Sequence, residues 1–150
     1  MTAKLMSDSE LILNFMTRAE IYTAIVGRLS AMEEAEVKHT DLWNRNVEFI
    51  GQETAWPRPA VFVEFGPIRW SAFKEGGSRT GEGTLKLHIV TDWNPAAPLE
   101  AFALTGKVRT ALDGLCGGRF RRLTPAETHT NHDHEELVES IEVYSVRVTG

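Results

Sequence analysis

The fold is decided by the stretch GTLKLHIVTD, residues 83–92, in which apolar and polar side chains alternate. Leu85, Leu87 and Ile89 share one side of an extended chain, because successive side chains of a strand lie on opposite faces. The pattern predicts a β-strand with one buried face. On this interpretation His88 lies on the polar face and is solvated.

The segment before this strand is rich in glycine. Residues 74–83 read KEGGSRTGEG, with four glycines and no apolar residue. A phosphate-binding loop places Lys and then Ser or Thr after its last glycine, at the start of a helix, whereas Gly83 leads into the strand. We therefore predict a mobile hairpin loop that binds no cofactor.

Further strands precede the loop. Residues 60–65, AVFVEF, are mainly β-branched and aromatic and are followed by Gly66 and Pro67, which indicates a strand that ends there. Residues 68–73, IRWSAF, predict the next strand, and residues 47–50 predict a short one.

Two helices are indicated by apolar residues at spacings of three and four. Thr17, followed three residues later by Glu20, has the pattern of a capping box and predicts the start of the first main helix. Residues 99–115 predict the second helix, with a broad apolar stripe. The stripe consists of Leu99, Phe102, Ala103, Gly106, Val108, Ala111, Leu112 and Leu115. Both stripes are expected to be buried against a sheet.

The last segments are extended. Residues 119–128 precede a final strand at residues 137–148, whose alternation changes phase at Tyr144 and so indicates a bulge or a switch of the covered face. Residues 1–150 are predicted to form a single α+β domain, with two main helices on one face of a mostly antiparallel, four- to five-stranded sheet. Residues 1–16 are expected to form a short helix or an N-terminal arm.

The composition excludes several classes of protein. The chain has 150 residues, 42% hydrophobic and 25% charged, which is typical of a globular domain with its own core. Its formal charge of −5 argues against specific nucleic-acid binding, which needs a basic face. Cys116 is the single cysteine and is expected to be buried and reduced. With no apolar stretch of about 18 residues and no signal-peptide pattern, no membrane partner is expected.

The segment HTNHDHEE, residues 129–136, holds three of the five histidines. His132 and His134 point the same way in an extended chain, and with His129 and a carboxylate they would suit a divalent ion. Alternatively these residues form a polar hairpin tip, because they follow a Pro-Ala-Glu-Thr turn. The chain has no GxSxG, HExxH or GxGxxG motif. We predict no catalytic residue and no metal site, and keep a metal-binding hydrolase that uses these histidines as an alternative.

Aromatic and apolar residues near the ends of elements are candidates for a subunit interface, where Trp and Arg are enriched. The N-terminal segment is too apolar for a free tail, and the glycine-rich loop provides a second, separate surface. The candidates are Phe15, Met16, Trp70, Arg79 and Trp93. A small adaptor that binds a host protein through an exposed apolar face is a further alternative.

The order of these segments resembles that of the tail-completion and tail-terminator proteins of long-tailed bacteriophages and prophages. The resemblance rests on the Pro-flanked strand WPRPAVFVEF, the glycine-rich loop before GTLKLHIVTD, the helix LTGKVRTALDGL and the last strand VYSVRV. It covers residues 18–148, and the family has no invariant motif. The long segment before the first strand and the histidine cluster depart from the family pattern, so a neck or connector protein stays open.

The resemblance implies a non-enzymatic virion protein whose copies close into a ring, similar to family members that form hexamers capping the tail tube before the head docks. It implies a place in the tail or neck, after assembly in the bacterial host cytoplasm, with tail-tube and head-connector proteins as partners. Such a ring needs a heterologous interface, in which one patch meets a different patch. Because the subunit is acidic, DNA is expected to pass without being gripped.

Overall fold

The computed structural model describes residues 8–33, 36–47, 56–71, 79–131 and 133–149, and for residues 8–15 the description is of the backbone. The elements in chain order are α1 (Asp8–Ser30), β1 (His39–Leu42), β2 (Ala60–Trp70), β3 (Thr80–Asp92), α2 (Glu100–Leu112), β4 (Thr124–Asn131) and β5 (Leu137–Thr149). Neither helix combines the length and the hydropathy that crossing a lipid bilayer requires.

The strands form one sheet in the order β1-β2-β3-β5-β4. β1 pairs with β2 in parallel, and the other neighbouring pairs are antiparallel. The alternating segment identified in the sequence is the central strand β3, in which Leu87 lies opposite Val63 of β2 and Glu142 of β5. The predicted α+β class with a mostly antiparallel sheet is confirmed.

Both helices cover the same face of this sheet, as predicted. The stripe Ile21, Ile25 and Leu29 of α1 is at most 2% exposed. It packs, with residues of α2, on every second residue of the central strands. This main core includes Leu104, Val108 and Leu112 of α2 and Val61, Val63, Leu85, Leu87, Ile89, Tyr144, Val146 and Val148 of the sheet. Because burying one such side chain stabilises the fold by roughly 1.5–3 kcal/mol, most of the stability resides on this face.

The opposite face of the sheet carries a second, smaller apolar cluster. Trp43 and Trp56 pack edge-on against Phe62, with ring centroids 6.2 Å and 4.8 Å away. The buried members of the cluster are Val47, Ala60, Phe62, Val90 and Leu137. β5 thus contributes its first residue to this cluster and Tyr144 to the main core. Since its register with β3 is unbroken, the phase change in its sequence reflects a switch of the covered face.

β2 corrects the prediction that a strand ends at Phe65. It continues through Gly66 and Pro67 to Trp70, so two predicted strands are one. The pairing with β3 is irregular between Phe65 and Ile68, and this irregularity accommodates a proline that has no N–H to donate.

The remaining strand, β1, lies earlier in the chain than the strand predicted at residues 47–50. Val47 is buried in a turn, and residues 48–50 lie outside the described residues. The predicted loop is also shorter, because β3 begins at Thr80 and includes residues 80–83, whereas residues 74–78 are not described. The glycines of β3 fit there because a Cβ at Gly81 would lie 3.0 Å from the Trp70 ring.

α1 begins well before the start predicted at Thr17, so the residues from Asp8 onward belong to the main helix rather than to a separate helix or arm. Thr17 is buried inside the helix. Glu20 does not act as a capping residue; its Oε1 accepts a hydrogen bond from the backbone N–H of Arg119 at 3.2 Å. The tertiary contact therefore explains the acidic residue that the sequence pattern assigned to a cap.

The apolar stripe predicted for α2 is confirmed at Val108 and Leu112, which are buried, but its first residues are wrong. Leu99 is 71% exposed and Phe102 is 48% exposed. The helix instead buries Leu104, and Phe102 lies about 200° around the axis from it, since each residue turns the helix by about 100°. The buried residues are Ala101, Leu104, Thr105, Val108 and Leu112.

β4 forms one edge of the sheet and contains the Pro-Ala-Glu-Thr sequence that was predicted as a turn. Its pairing with β5 is irregular between Pro125 and Glu127, and most of its side chains are exposed. Four residues before β4, Phe120 forms an isolated bridge to Val148 and is 1% exposed. Cys116, in the connection after α2, is exposed rather than buried.

Candidate functional site

A cluster of polar side chains is buried on the sheet face opposite the helices. His88 of β3 is 5% exposed; its Nδ1 lies 2.6 Å from Glu139 Oε2, and its Nε2 lies 3.0 Å from Glu64 Oε2. The Trp43 indole stacks on the imidazole, with 3.7 Å between ring centroids and 2° between the planes. The prediction that His88 is solvated is therefore wrong, because the second apolar cluster covers this face.

Glu139 is the most buried carboxylate of this cluster, with 2% of the residue exposed. Its Oε1 accepts a hydrogen bond from Asn131 at 2.9 Å and lies 3.6 Å from His134 Nε2. Burial acts to raise its pKa, but hydrogen bonds from His88 and Asn131 and the charges of His88 and His134 outweigh burial and lower the pKa of Glu139. An ionised carboxylate with these donors ties neighbouring strands together.

This arrangement indicates a cross-link between strands rather than a catalytic centre. Each nitrogen of the His88 ring faces a carboxylate, and the stacked Trp43 covers the ring. A general base must reach its substrate at hydrogen-bond distance, and the covered ring of His88 offers no such approach. We therefore assign no catalytic residue to this cluster.

The histidines proposed as an alternative metal site contact different carboxylates. His129 Nε2 lies 2.7 Å from Glu127 Oε2 on the exposed surface of β4, whereas His134 faces Glu139. His132 lies outside the described residues. Across the parts of the chain that the structure describes, no three His, Cys, Asp or Glu side chains come together as a metal site.

The five interface candidates lie in different environments. Trp93 is 48% exposed and Met16 is 39% exposed. Trp70 is half-buried and packs against the main core. Arg79, just before β3, is also half-buried, and Phe15 lies in α1 with its side chain outside the description. Trp93 and Met16 are thus the most exposed of the candidates whose side chains the structure describes.

Trp93 belongs to a larger exposed apolar surface, the Trp93 patch, which we define as Trp93, Leu99 and Phe102. These side chains line one groove between the start of α2 and the β4–β5 connection, with Leu137 and Val138 on the other wall. Exposed apolar surface of this kind marks interaction sites. Sequence reasoning found Trp93 but placed the other two in the buried stripe, although the spacing of Leu104 and Val108 already indicated the correct phase.

Tyr144 carries a buried hydroxyl group. The residue is 2% exposed, and its hydroxyl oxygen has no hydrogen-bond partner among the described residues. Burial raises the pKa of Tyr144 to about 12; the negative charge of Glu142 adds to this rise and the positive charge of Arg109 opposes it. The phenol is therefore neutral at physiological pH.

Tyr144→Phe is expected to change the free energy of unfolding by less than about 1 kcal/mol at pH 7, because it removes a buried donor that has no acceptor. A folded-state pKa of about 12, above the ordinary 10.0, means that the protonated Tyr144 stabilises the fold below pH 10 and that this contribution is lost towards pH 12. Urea unfolding at pH 7 and pH 11 tests both statements. A loss of 2 kcal/mol or more (about twice the limit set above) at pH 7 would show a hydrogen bond to this hydroxyl.

Comparisons with known proteins establish the fold and nothing finer. No protein-family model matches the chain, and no curated protein matches its sequence. Among solved structures, the chain is similar to one from a structure described as "Virion of native gene transfer agent (GTA) particle", with a TM-score of 0.58. The match covers 87% of this chain and 95% of that chain at 18% sequence identity. This chain therefore shares the fold of a protein found in that virion.

Proposed function

We propose that this chain is a non-enzymatic structural subunit of a phage-like virion. Its copies close into a ring that caps the tail tube and joins it to the head, as a tail terminator or head-tail completion protein. The observation that carries the proposal is the fold shared with a chain of the gene transfer agent virion, over 95% of that chain. The likeness extends over most of both chains and is not confined to one common supersecondary motif.

The surface of the subunit supports an assembly role. The Trp93 patch leaves two large aromatic side chains half exposed, and aromatic residues in contact patches dominate the binding energy of interfaces. By contrast, the histidine and carboxylates of the buried cluster are consumed by their contacts with one another. The buried histidine and carboxylates thus hold the strands of the chain together. The exposed Trp93 patch is the surface that we propose binds a partner.

Size-exclusion chromatography with light scattering, followed by negative-stain microscopy, tests the proposal. We expect a discrete oligomer, a hexamer by the family resemblance, seen as a ring with a central opening. A monomer at every accessible concentration, with and without divalent ions, would contradict it.

Each alternative predicts a different result. A host-protein adaptor is expected to stay monomeric and to bind its partner through the Trp93 patch. A metal-binding hydrolase is expected to purify with stoichiometric metal that is lost, together with activity, in the variant His132→Ala/His134→Ala.

A further inference from the structure

One end of the sheet is acidic. Asp133, Glu135 and Glu136 lie in the connection between β4 and β5, and all are exposed. We call these residues the acidic hairpin. Within the described ranges, none of the three carboxylates forms an ion pair or a side-chain hydrogen bond. Their charge is therefore not neutralised inside the subunit.

The other end of the sheet is basic. Arg121, Arg122 and Arg147, which we call the arginine corner, line one concave surface together with Glu82. Glu82 Oε1 accepts a hydrogen bond from Arg147 Nη2 at 3.3 Å. The side chains of Arg121 and Arg122 have no polar partner among the residues that the structure describes. Three arginines and one glutamate on the same surface leave it positive, on a chain whose formal charge is −5.

These two surfaces are too far apart to neutralise each other within one subunit. β5 begins at Leu137, directly after the acidic hairpin, and its 13 residues end beyond Arg147. At about 3.4 Å per residue, the ends of this strand lie roughly 40 Å apart. Exposed charges are screened over about 8 Å at physiological ionic strength. Each end therefore presents its charge to the surroundings.

Exposed apolar side chains adjoin both charged surfaces. The Trp93 patch and Glu135 line the same groove at the acidic end. At the basic end, Met16 is 39% exposed, and its Sδ lies 3.8 Å from Nη2 of Arg119, two residues before Arg121 in the chain. Both ends thus combine apolar side chains with charges at their border, which is the usual composition of a protein interface.

We infer that the two ends are the two halves of one heterologous interface, in which the acidic hairpin and Trp93 patch of one copy dock on the arginine corner and Met16 of the next copy. The inference rests on the proposed function and deepens it by naming the surfaces that meet. A second copy of this chain is the occupant because it supplies the complement of both ends at once. Contacts between two different patches repeat from copy to copy until the ring closes.

The charges and the apolar side chains have separate tasks in this interface. Exposed ion pairs contribute little affinity individually, but complementary charge fixes orientation and excludes wrong contacts, since like charges placed together are strongly unfavourable. The aromatic side chains provide the affinity when they lose contact with water. Charge reversal at either end is therefore the sharpest test.

Two variants reverse one end each: Arg121→Glu/Arg122→Glu and Glu135→Lys/Glu136→Lys. Either variant alone carries two surfaces of like charge, so we expect its dissociation constant for self-association to rise about 100-fold. Light scattering over a concentration series measures this constant, and circular dichroism checks the fold. Arg109→Glu, at an exposed position on α2 that belongs to neither charged surface, is the control for a change in net charge and is expected to assemble like the wild type.

Rescue separates charge pairing from damage to the fold. A 1:1 mixture of the two reversed variants restores opposite charges at every contact, and the chain with all four substitutions restores them within one species. We expect both to recover the wild-type oligomer. If the wild type assembles but the reversed variants assemble equally well, or if neither rescue works with folded protein, the inferred interface is wrong and the ring proposal survives. If the wild type never assembles, the proposed function fails as well.

Discussion

Replacing Glu139 with alanine is expected to lower the free energy of unfolding by about 3–5 kcal/mol, the usual cost of removing one partner from a buried, hydrogen-bonded carboxylate–histidine pair. The substitution removes the carboxylate that lies 2.6 Å from His88 and accepts from Asn131 at 2.9 Å. His88 is 5% exposed and so cannot turn to water for a replacement. Urea unfolding at pH 7 measures the change.

Glu127→Ala is the matched control for this variant. Glu127 also pairs with a histidine, His129 at 2.7 Å, but both side chains are exposed. Exposed pairs contribute at most about 1 kcal/mol, so the control is expected to unfold nearly like the wild type. If Glu139→Ala lowers the free energy of unfolding as little as Glu127→Ala does, the buried cluster does not stabilise the sheet.

The acid sensitivity of the wild type follows from the same carboxyl group. The folded-state pKa of Glu139 lies below its ordinary value of 4.5, so the group stabilises the fold above pH 4.5 and this contribution is lost as the pH falls through the lowered value. Glu139→Gln has no carboxyl group to protonate and is expected to lose less stability between pH 5 and pH 3 (about half a unit above the ordinary value to well below it).

Phe120→Ala is expected to lower the free energy of unfolding by about 3–5 kcal/mol, the usual cost of emptying a buried aromatic site. Phe120 is 1% exposed in the main core. It also holds the segment that carries part of the arginine corner against β5: Arg121 N–H donates to Arg147 O at 2.8 Å, and Thr149 N–H donates to Arg119 O at 2.8 Å.

Phe120→Leu is the control for this second variant, because an apolar residue of similar size usually costs less than about 1.5 kcal/mol. Thermal unfolding followed by circular dichroism compares the two variants with the wild type. Phe120→Ala is also expected to weaken self-association under conditions where the protein stays folded. A loss below 1 kcal/mol (roughly a third of the smallest expected value) would show that this segment is not anchored by its aromatic ring.

The fold could be predicted from the sequence wherever the spacing of apolar residues was regular over a whole helix or strand. Alternation in β3 and the spacing Ile21, Ile25, Leu29 in α1 identified the sheet and the helical layer that the structure contains. Local signals failed where a distant contact decides the outcome. The Thr17–Glu20 pattern looked like a cap, yet Glu20 serves the backbone of Arg119.

The functional surfaces were less predictable than the fold, for two physical reasons. His88 looked solvated because the sequence does not tell which residues cover the far face of the sheet, and Trp43 reaches it from a separate segment. Leu99 and Phe102 were predicted to be buried because they are large and apolar, although they do not lie on the helix face that contains Leu104. The two charged surfaces lie apart because β5 separates them: the acidic hairpin precedes its first residue, and Arg147 lies near its last.

The borders of the sheet constrain how strands of separate molecules can pair. β1, one border of the described sheet, has four residues. The other border, β4, contains Pro125 and an irregular pairing at Glu127. A short edge strand and a proline in an edge strand both disfavour the strand pairing between molecules that produces amyloid-like fibrils. Pairing of edge strands between molecules is thereby disfavoured, which protects the chain from precipitation at high local concentration.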